Sequence, residues 1–264
     1  MSEADGPGTL GHYGRLAASY DQNWSNSEPS LEWITSQIVA AASITAADRI
    51  ADVGGGTGRF ARRILDKVHP TQPILCVDPS EAMLAQVPDV AGLSPVLASA
   101  EQLAAGTTSA GEPIGAGDLD VIVLKESLHH VPAGDRAATL AGLAKLLAPG
   151  GRLLVVMLPT TLDYPLFTSA LARFTELQPD PLDIERFLIA AGLSASLTYR
   201  DFPLEFPKDQ YLAMVADRYM SLLSTFDDAQ LAAGVGEIDR SHPEAVLRFV
   251  DRFAFVLGIR AGTS

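Results

Sequence analysis

Cysteine is almost missing from this 264-residue chain: Cys76 stands alone. No disulfide can form within a monomer, and no cluster of thiolate ligands can be assembled, so no metal site is expected. Cations are also scarce, 19 Lys and Arg against 32 Asp and Glu, for a formal net charge of -13. Such a chain repels a phosphate backbone, and no Lys/Arg run is long enough to reverse that locally, which argues against a DNA or RNA substrate. No apolar stretch approaches the ~20 residues of a membrane-spanning helix. Residues 1–11 are polar and glycine-rich, without the apolar region of a secretory signal, so a soluble cytoplasmic protein is expected. Internal repeats and low-complexity tracts are missing too. What is present is 47% hydrophobic and 19% charged residues, enough to build a full core.

The length suits one large α/β domain with insertions, or a core with a small cap. Apolar periodicity predicts helices over 13–20 and 31–42, then strands at 49–53, 73–78, 96–98, 119–124 and 152–158. Between these strands lie predicted helices at 60–68, 80–86 (with Ser80 as cap) and 136–147, the last ended by Pro149-Gly150-Gly151. Near-continuous apolar strands alternating with helices imply a parallel sheet covered on both faces, with Cys76 buried in one strand. The segment 104–117, rich in Gly, Ser and Thr, reads as an exposed loop. After Pro159 the rhythm changes: helices are expected at 164–177, 183–191, 211–223 and 227–234, and strands at 197–206 and 249–259. This organisation divides into an N-terminal helical cap (1–44), a cofactor-binding core (45–159) and late strands with helical lid insertions (160–264), one structural domain overall.

The densest chemical signal is Asp52-Val53-Gly54-Gly55-Gly56-Thr57-Gly58, entered by an apolar strand and left by an amphipathic segment. Glycines there permit positive φ and close approach of a ligand. A dinucleotide loop follows G-x-G-x-x-G, but Arg59 occupies the third glycine's place, which counts against NAD or FAD. No Gly-Lys-Ser/Thr follows either, so it is not a Walker loop.

Four patches in order resemble the class I S-adenosylmethionine-dependent methyltransferases, in their small-molecule branch. They are Ile50 to Gly58, Val77-Asp78-Pro79-Ser80 with Met83-Leu84, Ser99-Ala100-Glu101-Gln102-Leu103, and Leu119-Asp120-Val121-Ile122-Val123 leading into Ser127-Leu128-His129-His130-Val131. A softer match is Leu147 to Leu153, so the likeness spans roughly 48–158. It implies a Rossmann-like, doubly wound seven-stranded sheet with the last strand antiparallel. It also implies S-adenosyl-L-methionine as cofactor, with S-adenosyl-L-homocysteine as product. Gly54, Gly56 and Gly58 would pack against the methionine and ribose, Asp78 would accept the ribose hydroxyls, and Pro79 and Met83 would sandwich the adenine. Asp52 would orient the loop or meet the ammonium through water. Ser99, where the family often carries Asp, would join Ala100, Glu101 and Lys125 at the cofactor. Tyr13 and Tyr20, in a segment resembling the family's opening helix, would close over the methionine end. With Trp24 they also form a stripe equally suited to lid packing.

The segment after the fourth strand leaves the sheet's carboxyl edge, where open α/β sheets bind ligands. Glu126, His129 and His130 are therefore the candidate catalytic residues, as base or for orienting the acceptor. One histidine of such a pair can instead pack beneath the site. Phe167, Phe174, Tyr211, Met214, Tyr219 and Met220 are candidates either for the acceptor pocket's apolar walls or for plain lid core. The Asn/Asp-Pro-Pro-Tyr/Phe motif, the paired-glutamate loop and an N-terminal winged helix are all missing. The expectation is a methyltransferase of small molecules in specialised metabolism, monomer or homodimer, with no nucleic-acid or membrane partner. A cyclase or other non-methylating enzyme on the same scaffold, or a non-catalytic cofactor-binding protein, is the alternative.

Overall fold

A computed structural model describes residues 27–107 and 114–262. The predicted helix over 13–20, with Tyr13, Tyr20 and Trp24, lies outside them. Strand β1 (Ile50–Val53) is buried at every position, and a strand apolar on both faces belongs in mid-sheet. It pairs in parallel with β2 (Ile74–Asp78) and β4 (Leu119–Lys125). With β3 (Leu93–Leu97), β5 (Leu147–Met157), β6 (Ser194–Pro207) and β7 (Val246–Ile259), the sheet runs β3-β2-β1-β4-β5-β7-β6. β7 is antiparallel to both neighbours. This is the doubly wound seven-stranded sheet expected from the sequence.

Alternation along each strand feeds two cores. Ile50, Cys76, Val121 and Val156 face one layer with α1 (Glu28–Ala41) and α2 (Arg59–Val68), through Ile34, Ile38, Ala61 and Ile64. Ala51, Val77, Ile122 and Val155 face the other with α5 (Arg136–Leu146) and α7 (Pro181–Ala190), through Leu140, Leu143, Ile184 and Leu188. Two short helices, α3 (Glu81–Leu84) and α4 (Ala100–Ala104), follow β2 and β3. Ser80 caps α3 by accepting the Met83 N–H at 3.3 Å. No helix among the described residues is long and apolar enough to cross a membrane.

Several boundaries differ from expectation, each for a local reason. β3 starts three residues early because it is an edge strand, paired only to β2, and so carries a mixed rather than apolar pattern. Pro149-Gly150-Gly151 does not break the chain out of regular structure; with Gly150 at φ +80 it forms an irregular start of β5. Helix α6 (Thr168–Leu177) starts after Pro165, leaving Tyr164 outside it. The helix predicted at 211–223 is α8 (Lys208–Ala216) and a separate 3-10 turn (Ser221–Thr225), divided near Arg218 at φ +56. Within the predicted loop 104–117, Ile114 is buried. α9 (Asp228–Ser241) outruns the 227–234 expectation, helped by an Asp227/Gln230 capping box.

β6 and β7 pair along all 14 residues each, whereas β5 meets β7 only from Arg152↔Ile259 to Met157↔Ala254. The ribbon's far half therefore projects past the carboxyl edge. Phe202, Leu204, Phe249, Asp251 and Phe253 share one face of it. On the other face the cross-strand pairs Arg248–Glu205 (2.9 Å) and Arg252–Asp201 (2.6 Å) meet solvent.

Candidate active site

The glycine turn sits where β1, β2 and β4 end side by side. Gly54 and Gly55 donate to the Val77 carbonyl at 2.8 and 3.1 Å. At Gly54 (φ +73) an added Cβ would lie 2.3 Å from Ser127 Cβ, so the turn can pass Ser127 only without a side chain. The Ser127 hydroxyl donates to the Val53 carbonyl at 2.8 Å and ties the turn to the segment following β4. At Gly56 (φ +57) a Cβ would meet Met83 Cε at 3.0 Å. The loop thus presents bare backbone above a buried methionine.

Two acids lie under this turn. Asp78 accepts the Gly56 N–H at 3.0 Å through one carboxylate oxygen and the Ser80 N–H at 2.9 Å through the other. Burial still raises its pKa, and those two donors draw it back. Asp52 is buried against Gly55, and among the described residues its Oδ2 has no hydrogen-bond partner. Burial pushes Asp52 up to about 7, with the Lys125 charge opposing. An orphaned buried oxygen, a cradle with no Cβ and a diol-suited carboxylate at the end of β2 fit a polar, donor-rich nucleoside cofactor. Pro79 is exposed, and Met83 is buried beneath Gly56. Ser99 caps α4, accepting the Gln102 N–H at 3.2 Å in a reciprocal capping box, and the next residues, Ala100 and Glu101, are half-buried at the start of that helix.

Beyond the turn lies a second space, a cavity over the end of β4. Glu126 lines it from a left-handed backbone (φ +51), a conformation that costs a non-glycine residue energy and so is held by its surroundings. Its N–H donates to Val156 O at 2.9 Å, and its Oε1 accepts the Leu158 N–H at 2.7 Å. Burial raises Glu126 to about 7. Opposite it, from the ribbon, stands Asp251, which accepts the Tyr164 hydroxyl and is raised by burial to about 6. Lys125 lies over the rings of Phe60 (4.5 Å) and Phe253 (5.4 Å). Burial lowers its pKa while the charges of Glu126, Asp251 and Asp52 raise it. It stands among three acids, with the Arg59 charge opposing them.

The histidines are placed elsewhere. His129 and His130 form the 3-10 turn Leu128–His130, with ring centroids 4.0 Å apart, and neither lines the cavity. His129 is partly buried and its pKa lies well below the usual imidazole value through that burial; His130 is exposed. Of the apolar residues proposed for the pocket, Tyr211, Met214, Tyr219 and Met220 line it, whereas Phe167 and Phe174 belong to the core. Tyr164 and Asp251 were not foreseen. The signal for Asp251 was an acid in step with Phe249 and Phe253 on the apolar face of a strand. No three described His, Cys, Asp or Glu side chains group to hold a metal.

Fold and site together define a class of α/β protein with a ligand cleft at the carboxyl edge of a 3-2-1-4-5-7-6 sheet. Residues 51–153 match the sequence model of a family described as "Methyltransferase domain". Malonyl-acyl-carrier-protein O-methyltransferase of Geobacter sulfurreducens is 32% identical over 137 residues, 52% of this chain and 48% of that protein. A ubiquinone/menaquinone biosynthesis C-methyltransferase of Pseudomonas putida is 30% identical over 125 residues, 45% of this chain and 44% of that one. The chain spans about half the length of the curated relatives it matches. Among solved structures, the 4+2 cyclase SpnF superposes with TM-score 0.63 at 16% identity, covering 96% of this chain and 95% of that one. A Haemonchus contortus phosphoethanolamine N-methyltransferase, solved with S-adenosylhomocysteine, gives 0.62 at 12%, covering 99% and 61%. At those identities the structures speak for the fold alone. Over residues 51–153 the chain is thus similar in sequence to methyltransferase domains, and it shares their fold.

Proposed function

We propose that the protein transfers a methyl group from S-adenosyl-L-methionine to a small molecule, an activity suited to biosynthesis in specialised metabolism. The observation that carries this reading is the adjacency of the two spaces. Ser127, which packs against Gly54 of the Asp52/Gly54–Gly58/Asp78 cradle, directly follows Glu126, which lines the cavity together with Tyr164 and Asp251. When bound, the cofactor supplies a methyl carbon on a cationic sulfur, a good leaving group for direct displacement. Asp78 keeps lone pairs for the ribose hydroxyls beyond those given to Gly56 and Ser80. Met83 and Pro79 would flank the adenine, Ser99, Ala100 and Glu101 would border it, and Asp52 with Lys125 would set the charge at the methionine end. Glu126 orients the acceptor and takes its proton, a role worth about 10²–10⁴-fold where the acceptor must lose one. The aromatic walls exclude water. His129 and His130 act by holding the segment after β4 that carries Glu126, from the 3-10 turn just beyond it.

Incubation with methyl-labelled S-adenosylmethionine and a library of small acceptors tests this. Label in an extractable product supports the reading. Tight cofactor binding without any transfer overturns it and favours a non-methylating reaction on the same scaffold.

A further inference from the structure

The acceptor cavity has a chemical polarity that narrows what enters it. Among its described lining residues no side chain carries nitrogen: the polar groups are the carboxyls of Glu126 and Asp251 and the hydroxyls of three tyrosines. Those hydroxyl hydrogens are largely spent. Tyr164 donates its own to Asp251, and Tyr211 and Tyr219 share a hydrogen bond of 3.1 Å. One hydrogen of the Tyr211/Tyr219 pair stays available, and the polar end of the cavity otherwise offers acceptors. Among the described lining residues a carboxylate, phosphate or sulfate ligand would find two acids and no cation, the nearest described cation, Lys125, lying behind the Phe253 ring.

The rest of the wall is aromatic. Phe249 is the hub, with centroids 5.2 Å from Tyr164, 5.5 Å from Tyr211 and 5.9 Å from Phe206. Ring faces attract cations, more strongly where water is excluded. Lys125 answers part of the local charge, but its ammonium is set over Phe60 and Phe253, and Asp52 draws on it as well as the two cavity acids.

We infer that the acceptor is a primary or secondary amine that enters as its ammonium ion, with its N–H groups on Glu126 and Asp251 and its apolar body against the aromatic wall. This deepens the proposed methyltransferase function and rests on it for the fate of the amine. An ammonium nitrogen has no lone pair to attack with. One N–H proton passes to a carboxylate oxygen, the N–H bonding pair becomes the nitrogen lone pair, and the amine and carboxylic acid so formed are both neutral. Burial has placed both acids, at about 7 and about 6, where they can accept that proton near neutrality.

The test is calorimetric and needs no turnover. The full chain is saturated with S-adenosylhomocysteine and titrated near neutral pH with benzylamine, phenethylamine and 3-phenylpropylamine, each beside its alcohol. At least one amine should bind about tenfold or more tightly than the matching alcohol, and Asp251→Asn combined with Glu126→Gln should erase the preference. Equal binding of amine and alcohol, tighter binding of the alcohols, or no binding of any amine overturns the inference. The wild-type comparison decides it even where the double variant fails to fold. Binding of S-adenosylhomocysteine is measured first. Its failure sinks the methyltransferase reading, while the amine preference is still read on the unliganded protein.

Discussion

At Gly54 a side chain has nowhere to go. The left-handed backbone disfavours any L-residue, and the space a Cβ needs is filled by Ser127. Gly54→Ala should cost about 2–4 kcal/mol in denaturant unfolding, combining backbone strain with overpacking. It should also weaken S-adenosylhomocysteine binding, because the loop must move. Asp78→Asn is a different lesion. Its amide can no longer accept at both positions, so the Gly56 and Ser80 N–H bonds and the ribose contact cannot all be kept. The expected outcome is a loss of at least about tenfold in calorimetric affinity for S-adenosylhomocysteine with little change in fold; unchanged affinity would show the ribose lies elsewhere. Residue identity at the turn was legible because strand, glycines and acid are contiguous. Tyr164 and Asp251 were not, because 87 residues separate two groups that only the folded ribbon brings together.

The β6–β7 ribbon is where one element carries two unlike faces. Its outer ion pairs are well formed but exposed, and such pairs contribute little after screening and side-chain ordering. Arg248→Ala should move the thermal midpoint by less than about 2 °C. Phe249→Ala, on the inner face at the centre of the aromatic wall, should cost about 2–3 kcal/mol, somewhat below a fully buried phenylalanine, and enlarge the cavity it lines. If the two substitutions cost the same, the ribbon's faces have been misassigned. The central strands were readable because burial on both sides leaves an unbroken apolar run. The edge strand β3 and the first five residues of β5 were not, since one is mixed in pattern and the other passes through Pro-Gly-Gly without leaving the sheet.

Across the whole molecule, the site's acids make stability depend on pH. Asp52 ionises near 3.8 in an ordinary setting and near 7 when buried in the fold. Between those values the folded state holds the proton that the unfolded chain has released, so the stability this group contributes declines as pH rises from about 4 to about 7. Asp52→Asn removes that term, and the variant's thermal midpoint should gain on wild type between pH 5 and pH 8. A gap that does not widen would mean the carboxyl is not desolvated. Cofactor binding adds stability by mass action: S-adenosylhomocysteine at about 100 times its dissociation constant should stabilise the protein by about 2.7 kcal/mol. By itself the sequence determined the doubly wound sheet and the glycine turn after its first strand, because hydrophobic period and a contiguous glycine turn are local facts along the chain. The cavity beyond the turn was decided by tertiary structure alone, because its acids and rings come from the end of β4, from β7 and from the segments between, and only the antiparallel ribbon past the sheet's carboxyl edge brings them together.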